Sequence, residues 1–185
     1  MSKNFIDKVK SKYANSIIDC HDFRGDQTIT VKKGIELELF KFLRDDPDLD
    51  FKFLMDLTAV DYLNRKDARF EVVYHLYSLN YNARLRVKIP INEDDCTLGS
   101  VTSLWKTANW YEREVWDLYG IKFNGHPDLR RILLYEEFKG HPLRKDYPVN
   151  ARQPLYQERM VEGTFVDQSS DQKLIGLKQR AIVKD

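Results

Sequence analysis

One segment near the middle of the chain, residues 84–91, limits the possible folds more than any other. Its side chains alternate strictly between a basic or proline residue and a large aliphatic one, the aliphatic set being Leu85, Val87, Ile89 and Ile91. Successive side chains of a β-strand point to opposite faces of the sheet, so this pattern predicts a strand with one buried face. The basic stripe of Arg84, Arg86 and Lys88 is then the solvated face.

Two further β-prone segments precede this strand. One aromatic and aliphatic set recurs at every second position of residues 51–60, namely Phe51, Phe53, Met55, Leu57 and Ala59. Residues 70–79 are rich in β-branched and aromatic side chains. Asn80-Tyr81-Asn82 predicts a hairpin turn before the third strand, because asparagine tolerates positive φ. Together these segments predict a mainly antiparallel sheet.

Helical spacing of apolar residues occurs before these strands. It joins Phe5, Ile6, Val9 and Tyr13 and, further on, Ile35, Leu39, Phe40, Phe42 and Leu43. The second helix is predicted to stop at Asp45-Asp46-Pro47-Asp48, because proline cannot continue it. A short β-prone run, Thr28 to Val31, lies between the two helices. This order predicts an α+β fold with amino-terminal helices packed on one face of the sheet.

The rest of the chain falls into a helix, an irregular segment and a tail. Residues 101–119 have helical periodicity, in one or two pieces; Asn109 with Glu112 fits a capping box, and Gly120 fits the carboxyl-terminal stop. Residues 121–148 are dense in Gly, Pro, His and Arg, which predicts an ordered irregular segment. The polar residues beyond Val149 predict an extended tail. We therefore expect an α+β core (1–120), an ordered irregular segment (121–148) and a tail that docks on a partner (149–185).

Composition argues against several classes of function. The 30 basic and 29 acidic residues give a formal net charge of +1, so no overall field attracts nucleic acid or anionic lipid. The sequence has no glycine-rich nucleotide motif and no CxxC, so neither a bound nucleotide nor a cysteine-bound iron–sulfur cluster is expected. Cys20 and Cys96 are predicted to be free thiols, with one disulfide as the alternative. No apolar run approaches the roughly 20 residues that cross a bilayer.

The charged residues of the predicted helix at 101–119 admit a structural and a catalytic interpretation. Arg113 and Asp117 are four residues apart, which predicts an ion pair. Glu112 and Glu114 point to different faces, so they are badly placed to act as acid and base on one bond. We expect Glu114 to be partly buried and to need a basic partner, the candidates being Arg130, Arg131 and Arg144.

Two histidines, His126 and His141, each precede a proline. Neither has metal-ligand partners at the usual spacing or a nucleophile nearby, so both are predicted to bond backbone groups and fix the turns. The basic residues that follow them are diluted by acidic neighbours, which favours a protein interface over nucleic acid. These basic residues are Arg130, Arg131, Arg144 and Lys145.

The order and spacing of residues 110–148 carry a resemblance to a known family. The matching stretches are Trp110-Tyr-Glu-Arg-Glu-Val-Trp-Asp-Leu-Tyr-Gly-Ile121, Phe123, His126-Pro-Asp-Leu-Arg-Arg-Ile-Leu133 and Gly140-His-Pro-Leu-Arg-Lys-Asp-Tyr-Pro148. They resemble the 30-kDa, or C, subunit family of respiratory complex I. Phe53-Leu-Met-Asp-Leu-Thr-Ala-Val-Asp-Tyr62 resembles the strand that this family has before its meander.

This resemblance implies a cofactor-free structural subunit in the hydrophilic arm of proton-translocating NADH:quinone oxidoreductase. Its partners would be other subunits of the arm, chiefly the large subunit that lines the quinone site, with no nucleic acid. FMN, iron–sulfur clusters, NADH and quinone would be bound by other subunits. The chain would reach the membrane only through the complex, on the cytoplasmic side of a bacterial inner membrane or on the matrix side of the mitochondrial one.

The resemblance implies no catalytic, cofactor or metal residue in this chain. The matched residues would instead build and present a docking surface: Glu112, Arg113, Glu114, Asp117, Gly120, His126, Pro127, Arg130, Arg131, His141, Pro142, Arg144, Lys145, Asp146, Tyr147 and Pro148. Two other hypotheses stay open. One is the equivalent subunit of a membrane-bound hydrogenase or of a ferredoxin-fed quinone reductase. The other is a free-standing hydrolase that uses Glu112, Glu114 and His126.

Overall fold

The computed structural model of the chain describes residues 5–150 and residue 153. Three α-helices and seven β-strands occur in this part of the chain. They are α1 (Phe5–Tyr13), β1 (Ile17–Phe23), β2 (Asp26–Val31), α2 (Glu36–Asp45), β3 (Phe53–Asp61), β4 (Phe70–Ser78), β5 (Ala83–Ile91), β6 (Thr97–Gly99), α3 (Ala108–Tyr119) and β7 (Lys122–Asn124). The predicted α+β class is confirmed. The predicted tail lies outside the described residues, apart from positions 149, 150 and 153.

Five strands form a mixed sheet in the order β1-β2-β5-β4-β3, and β6 pairs with β7. Three of the four junctions in the large sheet are antiparallel, while β2 and β5 run parallel, with Ile29 beside Val87. The parallel junction and strand β1 were not predicted. Most side chains of β1 are exposed on both of its faces, so that strand shows no apolar alternation.

The core lies between the amino-terminal helices and one face of the sheet. The predicted apolar residues of α1 and β5 are all buried, and α2 buries Leu39, Phe40 and Leu43. The ring of Phe40 lies 4.4 Å from the ring of Tyr74 on β4, measured between centroids. Burying one such large side chain contributes about 1.5–3 kcal/mol, so this layer provides most of the driving force for folding.

A β-bulge changes the predicted face of β3. Leu57 and Ala59 are buried as predicted, but Phe53 and Met55 are exposed and Leu54 is buried instead. The pairing of β3 with β4 shifts register between Leu54 and Asp56. The extra residue of a bulge reverses the inward and outward alternation on one side of it, which the sequence pattern did not reveal.

Side chains of α3 and of the turn before it bond to β3 and to the residue that precedes β3. The indole Nε1–H of Trp105 donates to the carbonyl of Lys52 at 3.0 Å, and the hydroxyl of Tyr111 donates to the carbonyl of Met55 at 2.9 Å. An uncovered strand edge invites pairing with other chains, so these bonds also protect the sheet. They fix α3 beside β3.

Helix α3 begins later than predicted. Residues 101–107 form turns, in which the N–H groups of Leu104 and Trp105 both donate to the carbonyl of Val101. The residue before the helix is Thr107, and its side chain makes no capping bond. The predicted capping box of Asn109 and Glu112 is therefore wrong. The Glu112 carboxylate bonds instead to Ser100 and to the backbone of Val101.

Replacing Leu76 with alanine should lower the free energy of unfolding by about 2–5 kcal/mol, because the substitution leaves a cavity in the core. Leu76 lies on β4, an interior strand of the sheet, and is fully buried. The matched control is Leu79→Ala, three residues away and 72% exposed, for which we expect a change within about 0.5 kcal/mol. Urea titration of both variants measures the difference, and equal losses would contradict this description of the core.

Candidate functional site

The carboxyl-terminal end of α3 is closed by a glycine. Gly120 has φ +78° and its N–H donates to the carbonyl of Trp116 at 2.8 Å. This is the predicted stop, because glycine adopts positive φ without a steric penalty. A Cβ atom at this position would also lie only 2.6 Å from the ring of His141. The helix end therefore requires glycine for its conformation and for its packing.

Three further carbonyls at this helix end accept bonds from residues 141–144. Carbonyls in the last turn of a helix have no hydrogen-bond partner within the helix itself. His141 Nδ1–H donates to the carbonyl of Asp117 at 2.9 Å, the N–H of Leu143 donates to Leu118 at 3.1 Å, and Arg144 Nε donates to Tyr119 at 2.6 Å. The Arg144 guanidinium also places positive charge where the helix dipole is negative. The second His-Pro turn thus serves as the cap of α3.

The side chain of Asp117 organises the residues between the two His-Pro turns. It is fully buried, and its Oδ2 accepts the successive N–H groups of Ile132, Leu133 and Leu134 at 3.1, 2.9 and 2.9 Å. Its Oδ1 accepts a bond of 2.6 Å from Arg131 Nη1. Burial alone would raise the pKa of Asp117, but these donors outweigh burial and the pKa lies below its usual value.

Two arginines bond to backbone carbonyls across this segment. Arg131 Nη2 donates to the carbonyls of Phe138 at 2.7 Å and Gly140 at 3.3 Å. Arg113 donates to the carbonyls of Arg130 and Arg131 at 3.2 and 3.0 Å. The predicted ion pair of Arg113 with Asp117 is therefore wrong: Arg113 bonds to carbonyls, and the carboxylate pairs with Arg131. A guanidinium carries five N–H donors in a plane, which suits it to bridge several carbonyls.

His126 anchors the first His-Pro turn to the start of α3. Its Nδ1 accepts the N–H of Asp128 at 3.0 Å, so the proton resides on Nε2, which donates to the carbonyl of Asn109 at 3.1 Å. Both histidines bond to backbone groups, as predicted. We call residues 126–148, together with α3, the signature scaffold.

A second set of charges, not predicted as a group, attaches the scaffold to the sheet. Arg69 is buried and pairs with Asp61 at 3.2 Å, with Asp146 at 2.7 Å and with Glu93. A backbone hydrogen bond adds to these ion pairs: the N–H of Lys145 donates to the carboxylate of Asp61 at 2.8 Å. The sequence contained one signal for this group of charges: Asp61 directly follows one predicted strand, and Arg69 directly precedes the next.

Glu112, Glu114 and His126, the three groups of the hydrolase hypothesis, have separate surroundings. Glu112 is fully buried against residues 100 and 101, while His126 uses both ring nitrogens for backbone bonds. Glu114 is exposed, so the expectation that it is partly buried is wrong. No group of three or more His, Cys, Asp or Glu side chains in the described part of the chain is placed to bind a metal ion.

Several large apolar side chains of the scaffold remain exposed. Trp110 is 62% exposed and Leu133 63%, and Tyr135 and Leu143 are also exposed. The guanidinium of Arg113 lies 5.4 Å from the centre of the Trp110 ring. Aromatic side chains such as that of Trp110 are enriched at the centres of protein interfaces.

Comparison with known proteins gives one consistent match. The family described as "Respiratory-chain NADH dehydrogenase, 30 Kd subunit" matches residues 29–153. The C subunit of NADH-quinone oxidoreductase from Citrifermentans bemidjiense is 53% identical over 142 residues, which are 77% of this chain and 86% of that protein. The same subunit from Geobacter sulfurreducens is 48% identical with the same coverage.

This chain belongs to the 30-kDa subunit family of respiratory-chain NADH dehydrogenase.

Two solved structures resemble this chain. A trypsin-resistant fragment of Nqo5 is 33% identical, with a TM-score of 0.58 over 67% of this chain and 98% of the fragment. A chain of an archaeal membrane-bound sulfane sulfur reductase has a TM-score of 0.63 over 83% of this chain and 94% of its own length. At 19% identity that second likeness shows the fold alone.

The signature residues of this 30-kDa family member divide into inward and outward groups. The residues that bond or pack within the chain are Glu112, Arg113, Asp117, Gly120, His126, Arg131, His141 and Arg144. Tyr147 stacks on Phe138, with ring centroids 6.1 Å apart, and Pro142 is half-buried. The exposed members are Glu114, Pro127, Arg130, Lys145, Asp146 and Pro148, of which Asp146 also pairs with the buried Arg69. The basic patch predicted as one surface is therefore divided, since Arg131 and Arg144 point inward.

Replacing Asp117 with asparagine should lower the free energy of unfolding by about 3–5 kcal/mol, because the change leaves Arg131 without its buried charge partner. Protease cleavage within residues 126–148 should accelerate. Glu114→Gln on the exposed side of α3 is the control and should change stability by no more than about 0.5 kcal/mol. Equal losses in the two variants would show that Asp117 does not organise the scaffold.

His141 should make the protein less stable as the pH falls below its ordinary pKa of 6.5. Burial, reinforced by Arg144 and Arg131, lowers the pKa of His141. The unfolded chain then binds a proton that the folded chain does not, so stability falls as the pH decreases through 6.5. His141→Asn keeps an N–H donor but does not titrate, so it should lose less stability than the wild type between pH 7.5 and 5.5. The same exchange at the exposed His21 is the control; identical profiles for wild type and His141→Asn would refute the assignment.

Proposed function

We propose that this chain is a structural subunit of the hydrophilic arm of proton-translocating NADH:quinone oxidoreductase, docked on the large subunit that lines the quinone site. In this role it supports the passage of electrons from NADH to quinone without holding a redox centre. FMN, iron–sulfur clusters, NADH and quinone bind to other subunits. The complex brings the chain to the membrane, on the cytoplasmic side in a bacterium, and no nucleic acid is involved.

The observation that carries this proposal is the contrast within the signature scaffold. Its polar groups are largely saturated by bonds inside the chain, most clearly at Asp117, Arg131 and Arg144. Its large apolar groups, by contrast, include the exposed Trp110 and Leu133. Tryptophan buried at the centre of an interface is among the strongest contributors to binding.

Rigidity gives this surface its value for docking. The backbone of residues 132–134 is fixed by one buried carboxylate, and the carbonyls of the α3 end are fixed by residues 141–144. A surface ordered in advance loses less conformational entropy when it binds, so more of the contact energy remains as affinity. The outward charges of Glu114, Arg130 and Lys145 would set the orientation of the bound partner rather than its affinity.

The proposal assigns a role to each part of the chain. Residues 1–120 form the core, whose helix α3 contributes Trp110 to the docking surface. Residues 121–148 supply the rest of that surface. Residues 149–185, most of which lie outside the described residues, would dock on the partner as the tail.

Copurification tests the proposed membership. The tagged chain, expressed in its own host and extracted in mild detergent, should bring with it iron–sulfur subunits and an NADH-binding flavoprotein. Mass spectrometry identifies them. Recovery of hydrogenase subunits, or of a ferredoxin-linked enzyme without a flavoprotein, would replace the proposal with the equivalent subunit of such a complex. Recovery of no redox subunit would reject it.

Variants of the exposed apolar residues test the proposed surface. Trp110→Ala should weaken docking by roughly 30-fold or more, since a buried interface tryptophan contributes about 2 kcal/mol or more. Leu133→Gln should also reduce the recovered subunits. Leu79→Gln, at an equally exposed leucine in the β4–β5 turn, is the control and should leave recovery unchanged. All three chains should keep their unfolding midpoints, and full recovery with both scaffold variants would exclude this surface.

A further inference from the structure

A buried carboxyl group joins α3 to the turn that follows β6. Glu112 has no exposed surface, and its Oε1 accepts the N–H of Val101 at 2.7 Å. Its Oε2 accepts the hydroxyl of Ser100, also at 2.7 Å. These two bonds attach residues 100 and 101 to the first half of α3.

A chain of hydroxyl groups leads from Glu112 towards the surface. Ser100 Oγ lies 2.9 Å from Thr102 Oγ1, and either oxygen of this pair can be the donor. Ser100 is buried, whereas Thr102 is half-exposed. Each hydroxyl can donate one hydrogen and accept another, so the three side chains form a continuous path that works in both directions.

Cations do not balance the charge of this carboxyl group. Within the described part of the chain Glu112 has no ion pair, unlike the equally buried Asp117. Two other polar side chains lie in the same region, the buried Tyr74 of β4 and Glu36 of α2, whose Oε1 accepts the N–H of Gly99 at 3.0 Å. Burial raises the pKa of Tyr74, and charge on Glu112 and Glu36 acts in the same direction. The Tyr74 hydroxyl has no hydrogen-bond partner among the described residues.

Burial raises the pKa of Glu112 to about 7, although the bonds from Ser100 and Val101 act in the opposite direction. An acid whose pKa is higher in the folded state binds a proton that the unfolded chain releases. Its contribution to stability is therefore present at low pH and is lost as the pH rises from about 4.5 to about 7.

We propose that Glu112 is a reversible proton-binding site, which exchanges its proton with solvent through the hydroxyls of Ser100 and Thr102. Protonation begins when a solvent proton binds Thr102 Oγ1. The original Thr102 proton moves to Ser100 Oγ, and the Ser100 proton moves to Glu112 Oε2. One proton is gained and no other group changes charge. The reverse sequence releases it.

Binding of the proton reverses the hydrogen bond between Glu112 and Ser100. The protonated carboxyl group donates to Ser100 Oγ, which then donates to Thr102. Its neutral Oε1 is a weaker acceptor for the N–H of Val101 than a charged oxygen is. The site therefore couples the pH of the medium to the junction between the β6 turn and α3. It lies inside this chain and does not depend on which complex holds the chain.

Carbon-13 NMR of the full chain, labelled at the glutamate carboxyl carbon, measures this proton directly. The Glu112 resonance is identified by its loss in Glu112→Gln. It should titrate with a midpoint near pH 7, and Ser100→Ala should move the midpoint upward because that hydrogen bond favours the charged form. A Glu112 carbon that is fully deprotonated at pH 5.5, or that stays protonated to pH 9, would overturn the proposal.

Exchange rates distinguish the hydroxyl path from simple burial. Thr102→Val removes the outer hydroxyl at nearly constant shape. It should leave the Glu112 midpoint in place but slow proton exchange at least severalfold, as measured by relaxation dispersion of the carboxyl carbon. Thr107→Val, before α3 and outside the path, is the matched control. An unchanged exchange rate in Thr102→Val would eliminate the path through Thr102.

The pH dependence of folding stability, compared between the wild type and Glu112→Gln, gives a second test. The amide of Gln reproduces the hydrogen bonds of the protonated acid and does not titrate. From pH 5 to 8 the folding equilibrium constant of the wild type should fall relative to that of Glu112→Gln, by on the order of 100-fold. The ratio of the two proteins removes the contributions of His75 and His141, which titrate in this range with the opposite sign. Glu114→Gln should behave as the wild type does. A constant ratio across this range would overturn the proposal.

Discussion

The irregular segment of residues 121–148 depends on the buried carboxylate of Asp117. An uncompensated charge in the interior costs several kcal/mol, so it requires a full set of donors. Three consecutive N–H groups and the guanidinium of Arg131 supply them. These donors come from one loop, and satisfying the charge therefore fixes the loop. The adjoining helix end acts in the same way, because its carbonyls need the donors of residues 141–144.

The scaffold is attached to the sheet at a second charged centre. Arg69 pairs with three carboxylates: Asp61 of β3, Glu93 after β5 and Asp146 near the end of the signature scaffold. Its planar fork can serve all three, which a lysine ammonium could not do with the same geometry. The apolar core and the scaffold are thus joined by polar bonds of defined direction. Such bonds give a surface loop the precision that hydrophobic packing, which is not directional, would not give it.

Glu112 and Asp117 show how burial leads to different chemistry five residues apart on one helix. Both have no exposed surface. Asp117 faces four N–H donors, one of them charged, and its pKa is lowered. Glu112 faces one N–H and one hydroxyl, and its pKa is raised. The number and charge of the donors decide the sign of the pKa shift. Asp117 therefore serves as a permanent structural charge, and Glu112 as a site that can bind a proton.

Sequence alone determined the α+β class, the buried faces of α1 and β5, the glycine stop at Gly120 and the family, because local periodicity, φ preference and residue order are properties of the chain itself. Tertiary structure decided the bulge in β3, the parallel pairing of β2 with β5 and the partners of Arg113, Glu112 and Asp117. Spacing on a helix suggested Arg113 with Asp117, since residues four apart are neighbours. Both side chains found stronger partners in a loop more than a dozen residues away. Such choices depend on which unpaired backbone groups the folded chain brings near a charge, and no local pattern contains that information.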